Sequence, residues 1–156
     1  MMNQSIAENK KRILIANGVN LDILGQREPD VYGKKSLQDL EAYLREQGKN
    51  LSHIPAIPDY ELFFFQTNCE KDFLEELSKN WDGAIINPGA WTHTSLALAD
   101  RLVGLSLKFI EVHLTQLDQR DPIRKNSFCA KHALGVIHGL GFDSYLAALV
   151  ALLKKM

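Results

Sequence analysis

Short apolar segments alternate along the chain with longer segments in which apolar residues recur every three or four positions. Most of the short segments lie between turn-forming residues. They are typical of buried strands, predicted over residues 12–16, 62–65, 84–86, 108–113 and 134–138. The longer segments have the spacing of amphipathic helices, predicted over residues 36–48, 70–79, 96–105 and 144–155. This alternation predicts a parallel sheet with helices on both faces, and the flavodoxin-like α/β fold is the simplest match.

Polar residues mark the starts of two of these helices. Ser36 is a predicted N-cap, and Asp39 stands where the acidic partner of a capping box would be. Thr92, Thr94 and Ser95 are all candidate N-caps for the third helix. Local hydrogen bonds are therefore expected to reinforce the starts that the apolar spacing indicates.

Length, composition and charge restrict the class of protein. The chain has 156 residues, so we expect residues 1–10 to be a flexible tail and residues 11–156 to form a single domain. Its 46% hydrophobic and 24% charged residues are typical of a soluble globular protein, and a net charge of −1 argues against nucleic-acid binding. A membrane-spanning helix needs about 20 consecutive apolar residues, and no apolar run in the sequence approaches that length. With only two cysteines and no signal-peptide pattern, a cytoplasmic location is expected.

Polar side chains follow the third predicted strand directly. Asn87, Pro88 and Gly89 end that strand, and His93 comes just before the next helix. In open α/β sheets, ligands bind at the carboxyl ends of the strands. Asn87 and His93 are therefore candidate ligand-binding residues, although an ordinary connection with a surface histidine would have the same pattern.

Further candidates follow the first and fourth strands. A long loop after the first strand carries Asn20, Arg27 and Tyr32, and loops of this length are often functional. Glu111 and His113 lie two positions apart in the fourth strand and thus share a face, where an acid is costly unless it is paired. Together these groups can transfer protons and bind an anionic, hydroxylated small molecule.

Several other functions lack their sequence signals. Metal-ligand spacing, a phosphate-binding glycine loop, a dinucleotide motif and a nucleophile elbow are all absent from the sequence. An aspartyl-phosphate receiver would need acids where Asn17 and Asn87 stand. A flavin or nucleotide protein would need a phosphate loop after the first strand. A non-catalytic assembly protein on this fold stays open, but it would not explain why arginine, tyrosine, asparagine and histidine occur together at strand ends.

Three segments in order carry the polar residues described above. They are Asn-Gly-Val-Asn-Leu at 17–21 with Gly-Gln-Arg-Glu-Pro at 25–29 and Val-Tyr-Gly at 31–33; Asn-Pro-Gly-Ala-Trp-Thr-His-Thr-Ser at 87–95; and Ile-Glu-Val-His-Leu-Thr at 110–115 with Arg120 and Arg124. They resemble the motifs of the type II 3-dehydroquinate dehydratases. The resemblance implies a flavodoxin-like fold, a homo-oligomer of twelve chains built from trimers, and no cofactor. It also implies dehydration of 3-dehydroquinate to 3-dehydroshikimate, in the shikimate route to aromatic compounds. A catabolic role in quinate use stays open beside it.

The resemblance assigns the chemistry to five residues. It makes Tyr32 the base that removes a proton beside the ketone, with Arg27 against it. Asn20 holds a water that stabilises the enolate. His113 protonates the departing hydroxyl and is oriented by Glu111.

The resemblance assigns substrate binding to Asn87, His93, Leu114, Thr115, Arg124 and Asp100. Asn87 and the backbone of the Leu114 and Thr115 pair grip the carboxylate. His93 and Arg124 bind ring hydroxyls, and Asp100 comes from a neighbouring subunit. The chain departs from the usual residues of that family at several positions without losing a proposed catalytic group: Val19, Asp22, Cys69, Thr115, Gln116, Asp118 and Pro122.

Overall fold

A five-stranded parallel sheet organises the computed structural model, which describes residues 10–26, 34–119 and 121–156. The strands are β1 Lys11–Asn17, β2 Tyr60–Gln66, β3 Gly83–Asn87, β4 Phe109–His113 and β5 Gly135–His138. Their order across the sheet is β2-β1-β3-β4-β5, and every neighbouring pair is parallel. This is the flavodoxin-like order, so the predicted fold is confirmed.

Helices cover both faces of the sheet. They are α1 Leu37–Gly48, α2 Glu70–Leu77, α3 Trp91–Thr94, α4 Leu96–Leu105 and α5 Phe142–Leu153. On one face, Ile13 and Ile85 belong to a core that includes α1 and α5. On the other face, Leu14 and Ile86 belong to a core that includes α2 and α4. Because both faces are covered, all five residues of β3 and of β4 are buried, including the polar Asn87, Glu111 and His113.

Side-chain hydrogen bonds cap the starts of α1 and α4. The capping box is confirmed, because the Asp39 amide donates to Ser36 Oγ at 3.2 Å and the Ser36 amide donates to Asp39 Oδ2 at 2.7 Å. Of the three candidates before α4, Ser95 is the N-cap, and its Oγ accepts from the Leu98 amide at 2.9 Å. Thr92 is instead buried in the short helix α3 and serves the site described below.

Helix α4 differs from a simple amphipathic helix. Leu98 and Leu102 are buried, but Leu96 is 61% exposed and Val103 is 51% exposed. Asp100 lies between these two positions on the exposed side. The apolar residues that predict α4 therefore include an exposed set that the core of this chain does not use.

The remaining connections contain short 3₁₀ turns. One of these, Leu51–His53, lies between α1 and β2 and carries the exposed His53. The others are Leu117–Gln119, Pro122–Lys125 and Ala130–His132, between β4 and β5. Within residues 10–26, 34–119 and 121–156, no helix has the length and apolar character needed to cross a membrane.

Candidate active site

The carboxyl ends of β1 and β3 are joined through a buried tyrosine. Asn17 and Asn87 pair across the two strands, and each is only 3% exposed. Asn87 Nδ2 donates to the Tyr145 hydroxyl at 2.8 Å, and that hydroxyl donates to Asn17 Oδ1 at 2.6 Å. Burial raises the pKa of Tyr145, so its hydroxyl stays neutral. Sequence analysis missed Tyr145, whose only signal is a tyrosine among the apolar residues of α5.

Glycines allow the loops after β1 and β3 to touch. The Gly18 amide donates to the Asn87 carbonyl at 2.8 Å, and a Cβ on Gly18 would lie 2.4 Å from the Pro88 oxygen. Gly89 has φ +62°, and its Cβ would lie 2.6 Å from the Val19 oxygen. Only glycine fits these two backbone contacts, and they fix the loop that carries Asn20 against the loop that follows Asn87.

Asn68 holds the loop after β1 in place. Its Oδ1 accepts from the Asn20 amide at 2.8 Å and from Gln66 Nε2 at 3.2 Å, and its Nδ2 donates to Asp22 Oδ2 at 2.9 Å. Asn20 has φ 66°, a conformation that asparagine tolerates better than most residues. Asn20 therefore has a defined position beside the strand ends, set by a residue that sequence analysis did not select.

A buried carboxylate holds a histidine at the end of β4. Glu111 is 0% exposed, and His113 Nε2 lies 2.7 Å from Glu111 Oε1. Thr92 Oγ1 donates to the same oxygen at 2.6 Å, and Ser127 Oγ donates to Oε2 at 2.8 Å. Burial alone would raise the pKa of Glu111, but these donors and the histidine charge outweigh it and hold the pKa below its usual value. Glu111 and His113, which the resemblance pairs, are thus hydrogen-bonded to each other, whereas sequence analysis did not select Ser127.

His93 lies beside His113 in a parallel arrangement. The two ring centroids are 6.3 Å apart, and the ring planes differ by 17°. His93 Nδ1 lies 2.6 Å from the Asn126 carbonyl oxygen and therefore carries a hydrogen, because a carbonyl can only accept. Burial is the main cause that lowers the pKa of His93, and the nearby charge of Arg124 adds to it. A neutral His93 thus keeps a lone pair on Nε2.

The other candidates occupy different positions. Leu114 is buried just after β4, and its carbonyl accepts from the Gly141 amide at 2.9 Å. Thr115 follows it, and Arg124 is partly buried in the turn Pro122–Lys125. Asp100 is exposed on α4, outside this group of strand ends.

Two predicted catalytic residues, Arg27 and Tyr32, lie outside the described residues, as does Arg120. Within the described part of the chain, no group of three or more His, Cys, Asp or Glu side chains could hold a metal ion. The described groups that converge at the strand ends are a carboxylate-paired histidine, a second histidine and fixed amides. Such a set can donate a proton and orient a polar ligand.

The chain is similar to known proteins over most of its length. Residues 11–153 match the family model described as Dehydroquinase class II. The chain is 42% identical over 150 residues to a 3-dehydroquinate dehydratase of Clostridium beijerinckii, covering 93% of this chain and 98% of that relative. The crystal structure of a type II dehydroquinase from Propionibacterium acnes superposes with a TM-score of 0.82 at 35% identity, covering 94% of this chain and 98% of that one. The crystal structure of a type II dehydroquinase from Butyrivibrio crossotus superposes with a TM-score of 0.81 at 34% identity, covering 92% of this chain and 97% of that one.

Proposed function

The chain belongs to the class II dehydroquinase family, the type II 3-dehydroquinate dehydratases, and on that premise we propose that it dehydrates 3-dehydroquinate to 3-dehydroshikimate through an enolate. This reaction makes it a lyase of the shikimate pathway. The observation that carries the proposal is the buried Glu111 carboxylate, hydrogen-bonded to His113 at the ligand-binding edge of the sheet.

His113 supplies the proton for the departing hydroxyl. In the imidazolium form both ring nitrogens carry hydrogen, and Nε2–H donates to Glu111. The Nδ1 proton passes to the hydroxyl oxygen, the carbon–oxygen bond breaks, and water leaves. The neutral ring keeps its hydrogen on Nε2, so the bond to Glu111 is maintained. General acid help of this kind is typically worth about 10²–10⁴-fold.

Tyr32 is the proposed base, and Arg27 makes its anion accessible. A tyrosine with a pKa of about 10 costs roughly 4 kcal/mol to ionise at pH 7. One cation about 4 Å away stabilises the tyrosinate by roughly 4 kcal/mol at an effective dielectric near 20. Arginine suits this role because it does not lose its own charge. The tyrosinate removes the proton beside the ketone. Asn20, fixed by Asn68, holds the water that stabilises the resulting enolate oxygen.

The substrate carboxylate is bound where β3 and β4 end. Asn87 has two Nδ2 hydrogens, and only one of them goes to Tyr145, so the other is available to a carboxylate. The Leu114 and Thr115 backbone provides the other side of this site. His93 Nε2 accepts from a ring hydroxyl, and Arg124 donates to another.

Assembly completes the proposed site. Asp100 is exposed on α4 between the exposed apolar residues Leu96 and Val103, an arrangement that suits burial against another copy. We propose that Asp100 enters the site of a neighbouring subunit within a trimer, and that trimers form a dodecamer. Residues 11–156 act as a single catalytic domain, and the cytoplasm is the proposed location.

The test is formation of the conjugated enone from 3-dehydroquinate, followed by its ultraviolet absorbance. His113→Asn should lose about 10²-fold or more in kcat. His53→Asn, at an exposed position in the turn Leu51–His53, is the matched control and should keep the wild-type rate. Folded wild-type protein that forms no enone would reject the reaction, and an active His113→Asn variant would reject the acid.

A further inference from the structure

We propose that Ser127 is a positioning residue that acts through Glu111 on His113, the proton donor, and that Ser127 and its neighbour Asn126 set opposite tautomers in His113 and His93. The inference rests on the proposed function, because it concerns how the proton donor of that reaction is prepared. Sequence analysis assigned neither residue a role. Both lie between the turns Pro122–Lys125 and Ala130–His132.

The hydrogen bonds that Ser127 accepts from the backbone restrict its hydroxyl to the role of a donor. A serine hydroxyl has two acceptor lone pairs and one hydrogen. The Cys129 amide donates to Ser127 Oγ at 3.1 Å, and the Ala130 amide donates to it at 2.9 Å. With both lone pairs occupied, the hydroxyl can only donate, and the charged Glu111 Oε2 at 2.8 Å is a stronger acceptor than Thr92 Oγ1 at 2.7 Å. The backbone of this segment thus makes Ser127 a fixed donor.

The fixed donor keeps Glu111 oriented toward His113. Glu111 Oε2 is held by Ser127, so Oε1 is left for Thr92 and His113. Thr92 Oγ1 and Ser127 Oγ are also within hydrogen-bond distance of each other, at 2.7 Å, so the two hydroxyls and the carboxylate form one group. A carboxylate can only accept, so the neutral His113 ring carries its hydrogen on Nε2 and presents Nδ1 as the site of proton transfer.

Asn126, the residue before Ser127, favours the other tautomer in His93. The Asn126 carbonyl requires the hydrogen of His93 on Nδ1, which leaves Nε2 as an acceptor. Two consecutive residues therefore leave a different ring nitrogen free on each neutral histidine, Nδ1 on His113 and Nε2 on His93. Among the described residues, Glu111 and Arg124 are the charged groups that act on His93 besides His113, and Cys129 lies close to Glu111.

The test combines kinetics with histidine-selective ¹⁵N solid-state NMR, for which assembly size is no obstacle. Ser127→Ala should lower kcat by about 10-fold to 100-fold, as expected for a lost hydrogen bond to a buried charge, with KM changed less than about threefold. Its His113 ring should lose the single Nε2–H tautomer, while His93 keeps Nδ1–H because the Asn126 carbonyl is unchanged. Ser127→Thr retains the hydroxyl and should restore both kcat and the tautomer.

Each result decides the inference. Wild-type kcat and an unchanged His113 tautomer in Ser127→Ala would overturn it, and equal disturbance of both histidines would make Ser127 a merely structural residue. If Ser127→Ala does not fold, the unaltered protein still decides, since Nδ1–H on neutral His113 or Nε2–H on neutral His93 contradicts the assignment. Protein that shows these tautomers but forms no enone would reject the proposed reaction and leave the positioning role supported.

Discussion

Replacing Glu111 with glutamine removes a charge without changing the size of the side chain. Glu111 accepts from His113 and Thr92 at one oxygen and from Ser127 at the other. In the variant, an amide NH₂ group replaces one of these oxygens. If it faces Ser127, two donors meet, because both acceptor lone pairs of that serine are occupied. The alternative rotamer places the amide against Thr92 and His113 instead, so neither orientation satisfies every group.

The expected fall in kcat comes mainly from the lost stabilisation of the His113 imidazolium. With the charges about 4 Å apart, the carboxylate stabilises it by roughly 4 kcal/mol at an effective dielectric near 20. An activation free energy higher by about 3–4 kcal/mol slows the reaction by roughly 10²–10³-fold. We therefore expect kcat of Glu111→Gln to fall by about 10²–10³-fold, within the usual range of general acid catalysis.

Enone formation from 3-dehydroquinate tests this expectation, with circular dichroism to establish folding. Glu61→Gln, at an exposed position in β2, is the matched control and should behave as wild type. A kcat of Glu111→Gln within about threefold of wild type would refute the electrostatic reasoning.

The same variant tests stability against pH. Because folding lowers the pKa of Glu111, its contribution to stability is present above the pKa of the unfolded chain and is lost as pH falls through the folded value. The difference in unfolding free energy between wild type and Glu111→Gln should therefore narrow in acid, and denaturant titrations at several pH values measure it. A difference that widens in acid would mean that the assigned direction is wrong.

Two further predictions concern binding and assembly. Tyr145→Phe leaves Asn17 and Asn87 without their shared partner, so it should cost about 1–3 kcal/mol in urea unfolding and raise KM; an unchanged KM would limit Tyr145 to a structural role. Mixed trimers of Asp100→Asn and Tyr32→Phe chains should recover activity that neither variant has alone. No recovery, with mixing established by mass spectrometry, would contradict a shared site.

Strand and helix positions were predictable because the forces that specify them act locally. The short apolar segments became strands at nearly the predicted bounds, and the capping box of Ser36 and Asp39 depends on residues three positions apart. Helix α4 was predicted from leucines and valine, but the spacing did not show that Leu96 and Val103 would be exposed. Apolar periodicity reports a tendency to be buried, and which surface buries a residue depends on the other elements or on another copy.

By itself, the sequence determined the strand–helix alternation, the paired Glu111 and His113 on one face of β4, and the family. Only the tertiary structure decided which polar residues hold these groups. Tyr145 reaches Asn17 across 128 positions, and Ser127 reaches Glu111 across 16. Such contacts depend on the β2-β1-β3-β4-β5 order and on how the connections return over the sheet. The position of a single hydroxyl-bearing residue in the sequence does not indicate its hydrogen-bond partner. The partner becomes known only when the folded backbone brings the two groups together.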